Sequence, residues 1–200
     1  MPRADAGEER IGQIIDASLT VFAREGFARA RIEDIAHEAG LAKGTLYLYF
    51  KSKDAIIASI LKVVFRQELR LLRAHQGSDA PVSEQLRELT RQLAGSLDRM
   101  KPFLPIVLEF YSLAGRRPDV RQFLVEAFDE YRTLVAGLIR QGIDRGEFRS
   151  VDPDSVAITY TALFEGLALL WAVYPRGVDW KDQAEAAMGQ LLVGIQIRDG

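Results

Sequence analysis

Ile32-Glu33-Asp34-Ile35-Ala36-His37-Glu38-Ala39, then Gly40-Leu41-Ala42, then Lys43-Gly44-Thr45-Leu46-Tyr47-Leu48-Tyr49 is the stretch whose reading decides the fold. Two short helical segments joined by a three-residue turn that contains glycine spell a helix-turn-helix. Ile32, Ile35 and Ala36 fall on one side of the first segment, and the small Ala36 and Ala39 allow the helices to cross closely. Gly40 can take the left-handed conformation that ends a helix sharply. Leu41 and Leu46 fill the corner, which leaves Lys43, Thr45, Tyr47 and Tyr49 able to point outward from the second segment. His37 falls on the outer side of the first segment and reads as plain surface.

Working outward, residues 8–25 form an amphipathic helix with Ile11, Ile14, Ile15, Ala17, Leu19 and Phe22 on its apolar side, stopped by Gly26. Downstream, Ser52 is placed to cap a long helix over 53–74. The text Ile14, Ala17, Phe22-Ala23-Arg24-Glu25-Gly26-Phe27, then Ile32 through Ala42 and Lys43-Gly44-Thr45-Leu46-Tyr47-Leu48-Tyr49-Phe50-Lys51-Ser52-Lys53-Asp54, resembles the TetR/AcrR family of bacterial helix-turn-helix transcriptional regulators. The match covers about a quarter of the chain in one continuous register. The resemblance implies that Lys43, Gly44 and Thr45 open a recognition helix in the DNA major groove. It implies that Tyr47 and Tyr49 reach phosphate oxygens or thymine methyls, and that Lys53 meets a phosphate beside the amides of its helix. Glu33 either accepts from a cytosine amino group or faces solvent. On the residues alone, Tyr47 and Tyr49 can also be packing aromatics, Thr45 a local cap, and Lys43 and Lys53 ordinary solvated lysines. The chain departs from the family in having Ala30-Arg31 where a Thr or Ser usually precedes the second helix, and Ala42 where a hydroxyl usually caps the recognition helix. Arg31, or Arg29, offers a charge in place of the missing hydroxyl.

Total charge does not announce nucleic acid: the net charge is −2 and the sequence pI about 5.8. Residues 1–55 hold eight lysines and arginines against nine aspartates and glutamates. The basic residues nevertheless cluster at Arg29 and Arg31 and at Lys43, Lys51 and Lys53, so a modest non-specific component of DNA binding is expected. There are no cysteines, which excludes disulfides, thiol catalysis and Cys-ligated metals. The two histidines, His37 and His75, match no metal-ligand spacing. No metal or cofactor is expected. The N-terminus has no apolar signal core, so a cytoplasmic protein is expected. Residues 156–174 are long and apolar enough to span a bilayer, but Glu165 near the centre favours a buried helix over a membrane partner.

The remainder reads as helices over 82–99, 103–113, 118–145, 153–174 and 181–197, about nine in all. The expected fold is all-α: an N-terminal three-helix DNA-binding domain over 1–53 and a larger helical effector-binding and dimerisation domain over 54–200. No paired carboxylates, phosphate loop or nucleophile arrangement occurs, so the chain does not read as an enzyme. Leu163, Leu167 and Leu170, with Met188, Leu191, Leu192 and Ile195, give more apolar surface than one helix pair covers. They are the expected homodimer interface, and two-fold symmetry implies a palindromic operator on double-stranded DNA. Phe103, Val107, Phe110, Tyr111, Phe128, Tyr131, Tyr160, Phe164 and Trp171 fit an elongated apolar pocket with Tyr111, Tyr160, Glu109 and Glu165 as polar handles. They also fit plain core. A buried acid there favours a cationic ligand or an arginine partner such as Arg132 or Arg99. The resulting expectation is a repressor released by a small hydrophobic or aromatic effector that moves helix 53–74. A ligand-free regulator and a helical protein that has lost DNA binding are the alternatives.

Overall fold

The computed structural model describes residues 3–99, 104–174 and 179–197. Among them the chain forms nine helices: α1 (Arg3–Glu25), α2 (Ile32–Glu38), α3 (Lys43–Tyr49), α4 (Lys53–Ala74), α5 (Val82–Arg99), α6 (Leu104–Arg116), α7 (Pro118–Asp144), α8 (Pro153–Val173) and α9 (Trp180–Ile195). The all-α class and the helix-turn-helix follow the sequence reading. Gly26, Gly40 and Gly146 all take positive φ, of 78°, 64° and 73°, where the helices were expected to stop. Helix α6 runs three residues past the expected Leu113. Pro118 then fixes φ as the first residue of α7, and the Arg117 N–H closes α6 on the Leu113 carbonyl at 2.8 Å.

The chain packs as two units, Met1–Val64 with Pro102–Arg121, and Phe65–Lys101 with Gln122–Gly200. Helix α4 therefore supplies residues 53–64 to the first and 65–74 to the second.

In the first unit α1 packs on α2, and α2 on α3. Ile14, Val21 and Phe22 of α1 meet a core completed by Ile35, Leu46, Ile56 and Ile57, all buried. Phe22 and Phe27 stack edge to face at 5.4 Å. The turn is closed by the Leu41 N–H on the Ala36 carbonyl at 2.8 Å, and the Gln13 side chain donates to the Ala39 carbonyl at 2.6 Å. Those bonds satisfy carbonyls that the end of α2 would otherwise leave bare.

In the second unit α5 lies against α9, and α8 against α9. Leu86, Leu89 and Leu93 of α5, Val135, Leu138 and Ile139 of α7, and Met188 and Leu192 of α9 are buried. Asp152 caps α8, accepting from the N–H groups of Asp154 and Ser155 at 3.3 Å each. Past α7 the chain turns back on Gly142, whose missing side chain makes room for the buried Phe148 ring. Phe148 and Gln196 form an isolated antiparallel bridge, held by Arg149 N–H on the Ile195 carbonyl at 2.9 Å and Ile197 N–H on the Glu147 carbonyl at 3.2 Å.

The expectation that residues 156–174 are a buried helix holds on one side only. Val156, Ala157, Tyr160 and Trp171 face in, while Ile158, Leu169, Leu170 and Val173 are exposed. By length and composition α8 is apolar enough to cross a membrane.

Candidate nucleic-acid interface and effector cavities

Helix α3 is two turns long and buries only Leu46. Helical spacing then turns Gly44 and Leu48 to the other side and Thr45 and Tyr47 to its flanks, and Lys43, Gly44 and Leu48 are exposed while Thr45 and Tyr47 are half-buried. Tyr49 is exposed at the end of the helix. Leu48, 76% exposed, is a residue the sequence reading passed over. A signal for it existed: Leu46 and Phe50 take the inward positions, so the residue between them must look out.

The charges on this surface are tied to one another. Glu33 on α2 is ion-paired with Lys43 at the start of α3, and the Lys43 ammonium lies 5.9 Å from the Tyr47 ring centre. The hydrogen bond with Lys43 holds the Glu33 carboxyl below its ordinary range and raises Lys43. Lys53 donates to the Phe27 and Ala28 carbonyls at 2.6 and 3.2 Å and sits 4.6 Å over the Phe27 ring. Two of its three N–H donors are thereby spent on the turn after α1, leaving one to face outward. Lys51 closes the end of α3 on the Tyr47 carbonyl at 2.6 Å, and Arg29 bonds the Glu25 carbonyl at 2.9 Å. Arg31 is exposed, and its backbone N–H is taken by the Asp34 carboxylate at 3.1 Å. Arg29, Arg31, Glu33, Tyr47 and Lys53 line one open depression. Ala42 leaves α3 with no side-chain cap.

Described residues of the second unit wall two cavities. The wider, about 100 Å³, is walled by Ala94 of α5, Phe164, Leu167, Ala168 and Trp171 of α8, and Asp179, Trp180, Lys181 and Ala184 at the start of α9. The Trp180 indole N–H is buried there without a hydrogen-bond partner among the described residues. The narrower, about 10 Å³, is walled by Glu68, Leu93, Tyr131, Tyr160, Thr161, Phe164 and Glu165. The Tyr131 hydroxyl donates to the Glu68 carboxylate. Burial pushes the Glu68 carboxyl up to about 7; Glu165 pushes the same way and the Tyr131 bond opposes both. Burial likewise raises the Tyr131 and Tyr160 hydroxyls, with the Glu68 charge adding to it. Thr90 gives its proton to the Leu86 carbonyl at 2.8 Å, so the long 3.5 Å contact with Tyr160 has the tyrosine as donor. Behind Tyr131, the Phe65 ring meets Phe123, Phe128 and Tyr131 edge to face at 5.8, 5.9 and 6.1 Å.

The expected pocket residues therefore divide. Tyr131, Tyr160, Phe164 and Trp171 line the cavities of the second unit, and Phe128 stands one layer behind. Glu109 and Tyr111 belong to the first unit, where Tyr111 is exposed and Glu109, expected as a polar handle, pairs with Arg116 at 3.1 Å instead. The side chains of Val107, Phe110 and Arg99, and the whole of Phe103, lie outside the described residues. Arg132 pairs with Asp129 and Asp154, at 3.3 and 3.6 Å. The acid that joins Glu165 is Glu68, which the sequence reading missed. Its spacing from Leu61, Phe65 and Leu72 puts it on the apolar side of α4.

The expected interface residues divide as well. Met188, Leu192 and Ile195 are buried inside this chain, because α9 turns that side to its own core; Leu163, Leu167 and Leu191 are half-buried and Leu170 is exposed. The apolar surface left open runs through Leu169, Leu170 and Val173 of α8 and Val193 of α9.

Residues 14–60 match the family described as bacterial regulatory proteins, tetR family, and residues 83–196 match the C-terminal family of BetI-type transcriptional repressors. The chain is 33% identical over 149 residues to the uncharacterized HTH-type transcriptional regulator YfiR of Bacillus subtilis, covering 73% of this chain and 71% of the relative. A transcriptional regulator of Pseudomonas aeruginosa PAO1 superposes with a TM-score of 0.76 at 26% identity, covering 94% of this chain and 90% of that one. One from Saccharomonospora viridis, solved in complex with choline, superposes at 0.81 and 24% identity, covering 96% and 100%.

Proposed function

Given that the chain belongs to the TetR family of bacterial transcriptional regulators, we propose that it is a homodimeric, cytoplasmic repressor that grips a palindromic operator through α3 and lets go when a small effector fills the cavities of its second unit. Regulators of this family bind DNA and small molecules and typically dimerise. The observation that carries the reading is the outward side of α3. Lys43, Gly44, Thr45, Tyr47 and Leu48 place a charge, a bare backbone, a hydroxyl, a phenol and an aliphatic tip on a helix that buries one residue. That set suits phosphates, base edges and thymine methyls. Arg29, Arg31 and the remaining donor of Lys53 flank it for phosphates. The open apolar surface of α8 and α9 supports the dimer, since a stripe of that kind is costly to leave in water.

The cavities support an effector-responsive switch. Helix α4 contributes Glu68 to the narrower one and begins three residues after the last core side chain of the helix-turn-helix, Phe50. An effector that fits only one position of α4 shifts the population toward that position and changes the spacing of the two α3 helices in the dimer. Selection of bound duplexes from a random pool tests the assignment: enrichment of a two-fold symmetric site is expected. Absence of any enrichment at low salt overturns it.

A further inference from the structure

Leu48 is 76% exposed, more than any other large hydrophobic side chain among the described residues. Single apolar residues on a surface are ordinary, but the position of this one sets it apart. It stands on the side of α3 away from the buried Leu46, flanked by Thr45 and Tyr47, which can both make hydrogen bonds. Gly44 lies about one turn earlier on the same side. Glycine weakens a helix, and internal packing gives no reason for one here, since a Cβ at Gly44 would meet no atom of the described residues within 4 Å. The bare backbone at Gly44 lets a surface outside the protein come close to α3, and Leu48 is the apolar side chain that meets it.

Leucine neither donates nor accepts a side-chain hydrogen bond, so it cannot use the donors and acceptors on base-pair edges. The apolar feature of the major groove is the 5-methyl group of thymine. Set against that methyl, Leu48 takes apolar surface out of water. Set against the amino group that cytosine presents, it strips a donor of water and returns no bond. The discrimination therefore has an attractive and a repulsive part.

We propose that Leu48 is a specificity-determining residue that reads a pyrimidine 5-methyl group in the major groove, once in each half of a two-fold symmetric site. The inference rests on the reading of α3 as the recognition helix and names what one of its side chains recognises. Thymine and 5-methylcytosine carry the same methyl, so the experiment has an arm for each.

The test uses the intact protein and a duplex that it selects from a random pool. Thymines are replaced by deoxyuridine, which lacks only the methyl, one symmetric pair at a time. Affinities are compared for wild type, Leu48→Ala and Leu48→Met. Both variants are expected to fold as the wild type does, because the side chain is exposed. Removing one buried methyl from each half-site is expected to weaken wild-type binding about tenfold at one symmetric pair. At that pair Leu48→Ala is expected to bind the thymine and uracil duplexes within about twofold of each other, and Leu48→Met, apolar and of similar volume, to keep most of the preference. Cytosine and then 5-methylcytosine, with guanine opposite, are placed at the same pair. Methylation is expected to strengthen wild-type binding about tenfold and to leave Leu48→Ala unchanged. Each comparison is a ratio within one protein, so a general loss of affinity in a variant does not obscure it.

A selected symmetric duplex with no uracil-sensitive thymine overturns the proposal and leaves the repressor reading standing. So does a full thymine preference in Leu48→Ala, which moves the methyl contact to another side chain. A uracil-sensitive pair that 5-methylcytosine does not rescue supports the contact and assigns thymine as its source. Selection of no duplex at all overturns both readings.

Discussion

Glu33, the second residue of α2, is ion-paired with Lys43, the first residue of α3. The pair joins the two helices of the DNA-binding motif across its outer surface, and both side chains are more than half exposed, at 51% and 55%. An exposed pair of this kind adds little to stability. Its effect is on DNA: a phosphate must compete with Glu33 for Lys43, and Glu33 itself repels the backbone. Glu33→Gln is expected to tighten binding to non-specific duplex several-fold at low salt and to steepen the salt dependence by about one counterion. Filter binding or anisotropy across a salt series measures both. An unchanged slope means Lys43 makes no phosphate contact.

Ala42, the residue before α3, gives the helix no side-chain cap. Ala42→Ser supplies an oxygen for the first-turn N–H groups and is expected to stabilise the protein by about 1 kcal/mol in denaturant unfolding. A null or negative change would mean that those N–H groups are already satisfied.

Two glycines on α7 separate packing from helix propensity. A Cβ at Gly142 would lie 2.3 Å from the Phe148 ring, while one at Gly137 meets nothing closer than the Gln76 side-chain oxygen at 3.6 Å. Phe148 cannot retreat freely, being buried and bridged to Gln196. Gly142→Ala is therefore expected to cost about 1–3 kcal/mol, and Gly137→Ala to be neutral or to gain up to about 1 kcal/mol. Thermal melts of both variants check the contrast, and equal shifts would contradict it.

The raised Glu68 carboxyl has a stability signature of definite sign. Its ordinary value is 4.5 and its folded value about 7. Between those limits the folded protein holds a proton that the unfolded chain has lost, so the contribution of Glu68 is fully present below the ordinary value and falls as pH rises toward the folded one. Glu68→Gln removes that dependence. Tyr131 keeps a hydrogen-bond acceptor, and Glu165 loses a like-charged neighbour. The variant is expected to gain on the wild type between pH 5 and pH 8 by on the order of 1–3 kcal/mol, discounted for the solvent that reaches a half-buried side chain. A stability difference that stays flat over that range would place Glu68 in water.

Helix ends were legible where glycine or proline marks them. Gly26, Gly40, Gly146 and the Asp152-Pro153 pair each stop or start a helix as expected. The outward side of α3 was legible because Leu46 and Phe50 fix the inward one. Glu68 was not, since a charged residue inside an apolar pattern reads as an interruption until the neighbours are known. Its company of Tyr131, Tyr160 and Glu165 comes from helices about 60 to 100 residues away. Periodicity also could not choose between the sides of α9, which is apolar on more than one. Packing on α5 and α8 takes Met188, Leu192 and Ile195 for the core and leaves Val193 outside.

The central claim is that α3 reads DNA, and the most direct measurement compares wild type with a Thr45→Ala/Tyr47→Ala variant on the duplex selected by the wild type. The account predicts a loss of specific affinity of about a hundredfold or more, with the melting temperature little changed because both side chains are only half-buried. A variant that binds the selected site as tightly as the wild type would contradict it.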